Sequence, residues 1–206
     1  EDTLRLAQAG ALDLGAAADI SSNILKGFRG DTAQLAKTVD VLAKAANSSN
    51  TNIQQLGDGM KFVAPVAAGL GVSLEETTAA VGALSDAGLQ ATLAGTGLRK
   101  ILSNLENPTT KERKLLRDLG LTAEDVKVSQ VGLATALQRL KDAGVDAGDA
   151  LELFGDRGGP AATVLLDSIP RLREFTEQLD NSGGTAAEVS RIMDDNLNGA
   201  LLRVKS

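Results

Sequence analysis

Apolar residues recur every three or four positions through most of the 206-residue chain. Leu35, Val39, Leu42 and Ala46 show the spacing clearly, because residues at this period lie on one face of an α-helix. Comparable segments are separated by glycine, proline or short runs of Asn, Ser and Asp, which end helices and form turns. The pattern predicts an all-α fold, a compact multi-helix domain of about ten short to medium helices.

Local signals predict where several helices begin and end. Asp13 and Asp146 precede apolar-periodic segments and are predicted N-caps. The sequence Ser73-Leu-Glu-Glu76 matches a capping box, so Ser73 and Glu76 are predicted to be helix-capping residues. Residues 155–159 contain three glycines and are predicted to form a loop.

The C-terminal part of the chain has a different pattern. Residues 181–184, Asn-Ser-Gly-Gly, form the best linker candidate, so a helical core domain is predicted at residues 1–180 and a C-terminal helix at 185–206. A sparse heptad-like stripe (Val189, Ile192, Asn196, Ala200, Arg203) suggests that this helix leaves the domain and could begin a long helical or coiled-coil segment. The chain starts at Glu1, not Met, which suggests a piece of a longer protein.

Composition strengthens the helical prediction and removes several kinds of chemistry. Only four residues are aromatic, all Phe, and Cys and His are absent. Zinc sites built from His and Cys, and catalytic triads that need His, are therefore excluded. The net charge of −6 argues against a dedicated nucleic-acid surface. We expect no catalytic residue, no cofactor and no metal site.

The segment Gly95-Thr-Gly97 is the best candidate for a phosphate-binding loop. A dinucleotide-binding fingerprint would need a third glycine where this chain has Lys100, and would need a preceding strand that the pattern does not predict. The alternative is that small residues let two helices pass closely. We therefore predict a structural packing element consisting of Gly88, Ala94, Gly95, Thr96, Gly97, Leu98 and Arg99.

Residues 65–105 also carry a resemblance to a known family. Four segments follow one another with the spacing of the core region of phage tail tape measure proteins: Pro65-Val-Ala-Ala68, Gly71-Val-Ser-Leu-Glu-Glu76, Leu84-Ser-Asp-Ala-Gly88 and Ala94-Gly-Thr-Gly-Leu-Arg99. Looser similarity extends from Leu4 to about Leu166. The chain departs from the family pattern at Gly97, where the family more often has Ala.

The resemblance implies a non-enzymatic structural protein of a tailed phage or prophage. Such a protein would take part in tail assembly and tail length determination and, after ejection, in DNA delivery. It would contact tail tube and tail assembly proteins, form a homo-oligomer at full length, and meet membranes only through other parts of the chain. It would lie in the phage tail of the virion, and in the host cytoplasm during assembly.

Two other functions remain open at this point. The chain could be a helical adaptor or scaffold domain of a contractile injection apparatus. It could also be a small helical enzyme, which would need a deep pocket with converging polar groups near Gly95 and Lys100.

Overall fold

The computed structural model describes residues 1–205, and the side chains of residues 1–196. It confirms the all-α class, since the described residues form helices and turns without a strand. Two 3-10 turns, Thr32–Gln34 and Glu124–Val126, accompany the α-helices. The α-helices are α1 (Asp2–Gly10), α2 (Leu14–Gly27), α3 (Leu35–Ser48), α4 (Ile53–Gly69), α5 (Leu74–Asp86), α6 (Thr92–Glu106), α7 (Thr110–Asp118), α8 (Val128–Val131), α9 (Leu133–Asp142), α10 (Ala147–Asp167), α11 (Ile169–Asp180) and α12 (Thr185–Lys205).

Side-chain caps fix several helix starts where the sequence predicts them. Asp13 accepts a hydrogen bond from the Ala16 N–H at 2.9 Å, and Asp146 accepts one from the Asp149 N–H at 2.9 Å. These bonds satisfy amide groups that have no partner within the helix. The starts of α2 and α10 are therefore fixed by side chains within three residues of the amide groups that they cap.

One central helix, α6, lies between α4 and α10, which pack on its two sides. Helix α5 packs against α4 and α11, and α1 packs against α2, α3 and α12. Apolar side chains from all these helices join one continuous core, in which Met60, Leu98 and Phe154 are almost fully buried. Pro65 does not end α4, which continues to Gly69.

The prediction of a loop at residues 155–159 is wrong. Helix α10 runs through it, and only Gly155 leaves helical geometry, with φ 66° and ψ −176°. Gly158 is instead a place of close packing, because a Cβ there would lie 2.7 Å from the Phe154 Cβ and 3.0 Å from the Lys100 Cγ. The cluster of glycines therefore corresponds to a kink at Gly155, followed by a close contact with α6 at Gly158.

The beginning of α12 is attached to the rest of the fold. The Asp40 carboxylate on α3 accepts hydrogen bonds from the Gly184 N–H at 2.8 Å and the Ala186 N–H at 2.9 Å. Ala186 and Ser190 are buried, and the Ser190 hydroxyl donates to the Gln8 side-chain oxygen on α1. The domain boundary at residues 181–184 stays a prediction, and Ala200 and Arg203 of the predicted stripe lie outside the residues whose side chains are described.

No described helix combines the length and the apolar character needed to cross a bilayer.

Candidate functional site

The predicted packing element begins at the turn between α5 and α6. Gly88 has φ 88°, in the left-handed region that glycine adopts without strain. Its N–H donates to the Ser85 carbonyl at 3.0 Å, and the next N–H, of Leu89, donates to the Leu84 carbonyl at 2.9 Å. These two bonds close the C-terminus of α5 and direct the chain into α6.

Gly95 lies against the backbone of α4. A Cβ built on Gly95 would be 2.0 Å from the Gly59 carbonyl oxygen, 2.7 Å from its carbonyl carbon and 2.8 Å from its Cα. Ordinary carbon contacts begin at about 3.5 Å, so a side chain has no room here. Gly59 is also restricted, though less severely, because its own Cβ would lie 2.9 Å from the Ala91 carbonyl oxygen. The two helices cross backbone to backbone.

Gly97 faces the other neighbour of α6. A Cβ on Gly97 would lie 2.7 Å from the Ala161 Cβ and 3.1 Å from the Arg157 carbonyl oxygen, both on α10. Residues two apart on a helix point about 200° apart, so Gly95 and Gly97 serve opposite sides. Ala94 and Leu98 are both fully buried beside them.

Thr96 and Arg99 occupy the outer side of α6. The Thr96 hydroxyl donates to the Thr92 carbonyl at 2.7 Å within the helix. Arg99 is exposed, and it makes no ion pair with any side chain that the structure describes. Thus five of the seven residues, Gly88, Ala94, Gly95, Gly97 and Leu98, set backbone geometry or packing, and the other two face outwards.

The capping pair acts at two helices. The Ser73 hydroxyl accepts the Glu76 N–H at 3.0 Å, which is the N-cap bond of α5. The Glu76 carboxylate accepts the Ala134 N–H at 3.1 Å and so caps α9, a helix 58 residues further along the chain. Burial raises the pKa of Glu76; the bond from Ala134 opposes this rise, and the charge of Asp180 adds to it. Of the two bonds of a capping box, α5 therefore has the one from the Glu76 N–H to the Ser73 hydroxyl, whereas the Glu76 carboxylate bonds to α9.

The sequence did not indicate the partners of the glycine contacts. Gly59 on α4 and Ala161 on α10 form the opposite sides of the two crossings, and neither stands out from its neighbours in the sequence. The available signal was Gly57-Asp-Gly59 inside a helical segment, because internal glycines cost helix stability and, where they are kept, have a packing reason.

The surface near Lys100 contains a groove of about 570 Å³, lined by Thr96, Arg99, Lys100, Ser103, Phe154, Gly155, Asp156 and Arg157. Phe154 is buried at its base, and Arg99 and Lys100 are exposed at its rim. Among the residues described, no three acidic side chains are grouped in a way that could hold a metal ion. The closest contacts in this region are those that α6 makes with α4 at Gly95 and with α10 at Gly97.

Comparison with known proteins places the chain in a family. The model of the family described as phage-related minor tail protein matches residues 1–156. The chain is 34% identical to the "Tape measure protein" of Pneumococcus phage Dp-1 over 203 residues, and 32% identical to the "Probable tape measure protein" of Escherichia phage P2 over 207 residues. These alignments cover 94% and 96% of this chain, but only 18% and 25% of the relatives. No solved structure matched. The chain belongs to the phage-related minor tail protein family.

Proposed function

We propose that the chain is a helical structural module of a phage tail tape measure protein, a non-enzymatic part of the ruler that sets tail length. The observation that carries this proposal is the alignment of nearly the whole chain with two proteins named as tape measure proteins. Because the chain spans only 18% and 25% of their lengths, it would be one module among several. DNA delivery after ejection is the second role that we assign to the parent protein.

The helical packing is suited to a structural module. Gly59 and Gly95 bring α4 and α6 into backbone contact, and Gly97 brings α6 to α10. Such contacts leave no room for added atoms, because protein interiors pack like crystals and respond to small changes of volume. These features support a role in packing and assembly.

We further propose that the parent protein self-associates and contacts the tail tube and other tail assembly proteins. It would lie in the virion tail after assembly in the host cytoplasm. The net charge of −6 supports the idea that this module does not hold DNA, since phosphate binding depends on concentrated Lys and Arg.

The size of the module bears on how it could act inside a tail. A compact chain of 206 residues has a radius of gyration of about 17 Å, which corresponds to a sphere about 43 Å across. The same residues in one continuous helix would extend about 300 Å, at about 1.5 Å per residue. The two states would add very different lengths to a ruler.

Tail length in electron micrographs tests the proposal. An in-frame duplication of residues 1–206 within the parent gene should lengthen the tails by about 300 Å if the module extends as helix. It should add about 40 Å if the module stays folded. Assembled tails of unchanged length would contradict a ruler role. Gly69→Ala, which changes neither the residue count nor a contact, is the matched control and should leave tail length unchanged.

A further inference from the structure

The outer side of α6 borders an apolar depression that the helix contacts do not use. Phe62 on α4, Leu89 before α6, Leu93 on α6 and Pro160 on α10 line this space of about 460 Å³. Leu93 is 63% exposed and Phe62 is 37% exposed. Single exposed leucines are ordinary, but here four apolar side chains stand around one depression, which makes it a candidate docking surface.

The depression continues into the groove near Lys100. Thr96, Asp156 and Arg157 line both spaces, so the apolar part and the polar part share a wall. We call the combined surface the α6 groove. It spans three helices, because its lining comes from α4, α6 and α10 together with the turn at Leu89.

The charge of the α6 groove is opposite to that of the chain as a whole. The chain has a net charge of −6, yet the groove carries Arg99, Lys100 and Arg157 against one carboxylate, Asp156. Within the part of the chain whose side chains are described, none of these four residues makes an ion pair. Arg157 lines both parts of the groove, and Arg99 and Lys100 line its polar part. The α6 groove therefore has an excess of positive charge that no ion pair among the described side chains neutralises.

We propose that the α6 groove binds an amphipathic α-helix of another protein, with acidic residues beside the apolar stripe of that helix. An apolar groove between helices takes such a stripe through side chains spaced by three and four residues. Acidic flanks complement Arg99, Lys100 and Arg157, and charge complementarity of this kind selects the partner and its orientation. A symmetric pair of chains joined through this groove would bring like charges together, which disfavours a second copy as the occupant. The proposal does not depend on the ruler role.

Two designed peptides test the proposal with the 206-residue chain. The first is an 18-residue helical peptide with leucines at helical spacing and glutamates on both flanks, and the second has each glutamate replaced by lysine. Fluorescence anisotropy should show that the acidic peptide binds at least about tenfold more tightly than the basic one. Added salt should reduce this difference, because salt screens exposed charges.

Variants locate the binding site. Leu93→Ser should raise the Kd for the acidic peptide about tenfold, because a leucine contact is lost. Arg99→Glu should raise it about fivefold and weaken its salt dependence. Leu14→Ser, at a leucine that is 55% exposed on α2, and Arg173→Glu, on the exposed side of α11, make matched changes elsewhere and should leave the Kd unchanged. Circular dichroism checks that each variant is folded.

Four results would overturn the proposal. The first is equal binding of the acidic and basic peptides, and the second is no binding of either. The third is an equal loss of binding in the α6 groove variants and the matched controls. The fourth is self-association of the chain, seen by sedimentation and abolished by Leu93→Ser, because the groove would then be an interface between copies.

Discussion

The close contact between Gly59 and Gly95 predicts that any side chain at position 95 lowers the free energy of unfolding. Replacing Gly95 by alanine adds one methyl group, and its carbon would lie 2.0 Å from the Gly59 carbonyl oxygen. Most overpacked sites relax when a flexible side chain moves away. Here the nearest three atoms all belong to the backbone of α4, so the two helices themselves must separate.

The expected cost follows from two opposing effects. Forcing an extra methyl group into a packed core costs about 1–3 kcal/mol, and sometimes more. A backbone obstacle places Gly95→Ala at the upper end of that range. Alanine is favoured over glycine within a helix by about 1 kcal/mol, which offsets part of the cost. The net loss is about 2 kcal/mol, and Gly95→Leu should lose more because its side chain is larger.

Far-UV circular dichroism is the suitable measurement, because the chain has no Trp or Tyr and its folded content is helical. Gly95→Ala should lower the Tm by about 4–8 °C, at about 2–4 °C per kcal/mol for a chain of this size. Urea unfolding should give the same order of loss in the free energy of unfolding.

Gly69→Ala is the matched control for this prediction. Gly69 ends α4 and is exposed, and a Cβ added there would have no neighbouring atom within 4 Å. The same substitution there should stabilise the protein by up to about 1 kcal/mol through helix propensity alone. If Gly95→Ala also kept or raised the Tm, the backbone contact between α4 and α6 would not limit the fold, and the reasoning would be refuted.

Three other substitutions test separate contacts. Gly155→Ala should cost about 2 kcal/mol in urea unfolding, because φ 66° with ψ −176° is almost restricted to glycine; an unchanged midpoint would contradict the kink. Asp40→Ala should cost about 1 kcal/mol and speed hydrogen exchange at the Ala186 amide, and unchanged exchange would mean that the cap is not formed. Burial raises the pKa of Glu76, so its contribution to stability should rise as the pH falls from 7 through that pKa. Glu76→Gln keeps an acceptor for Ala134 and should remove this rise, and identical pH profiles of wild type and variant by urea unfolding would count against it.

The starts of α2, α5 and α10 could be predicted because their signals are local. Asp13 and Asp146 each accept an amide three residues away, and the apolar period that follows identifies the helix. The four-residue helix α8 was not predicted, because so short an element contains too few residues to show a period.

Contacts between distant parts of the chain could not be predicted in this way. Asp40 caps the start of α12 across 144 residues, and Glu76 caps α9 across 58. Asp40 looks like an ordinary surface charge on α3, and Glu76 looks like part of a capping box of its own helix. Their roles depend on which helices pack together, and hydrophobic period alone does not give that arrangement.

The spacing of Gly95 and Gly97 explains why a glycine-rich segment can resemble a phosphate loop and still act in packing. A phosphate loop needs consecutive backbone N–H groups that converge on one ligand. In α6 these residues are helical, and positions two apart face opposite directions. Gly95 therefore meets α4 while Gly97 meets α10, so the pair holds three helices together instead of one ligand. An alanine at position 97 of this chain would lie 2.7 Å from the Ala161 Cβ, so α10 would have to move away from α6 to make room for it.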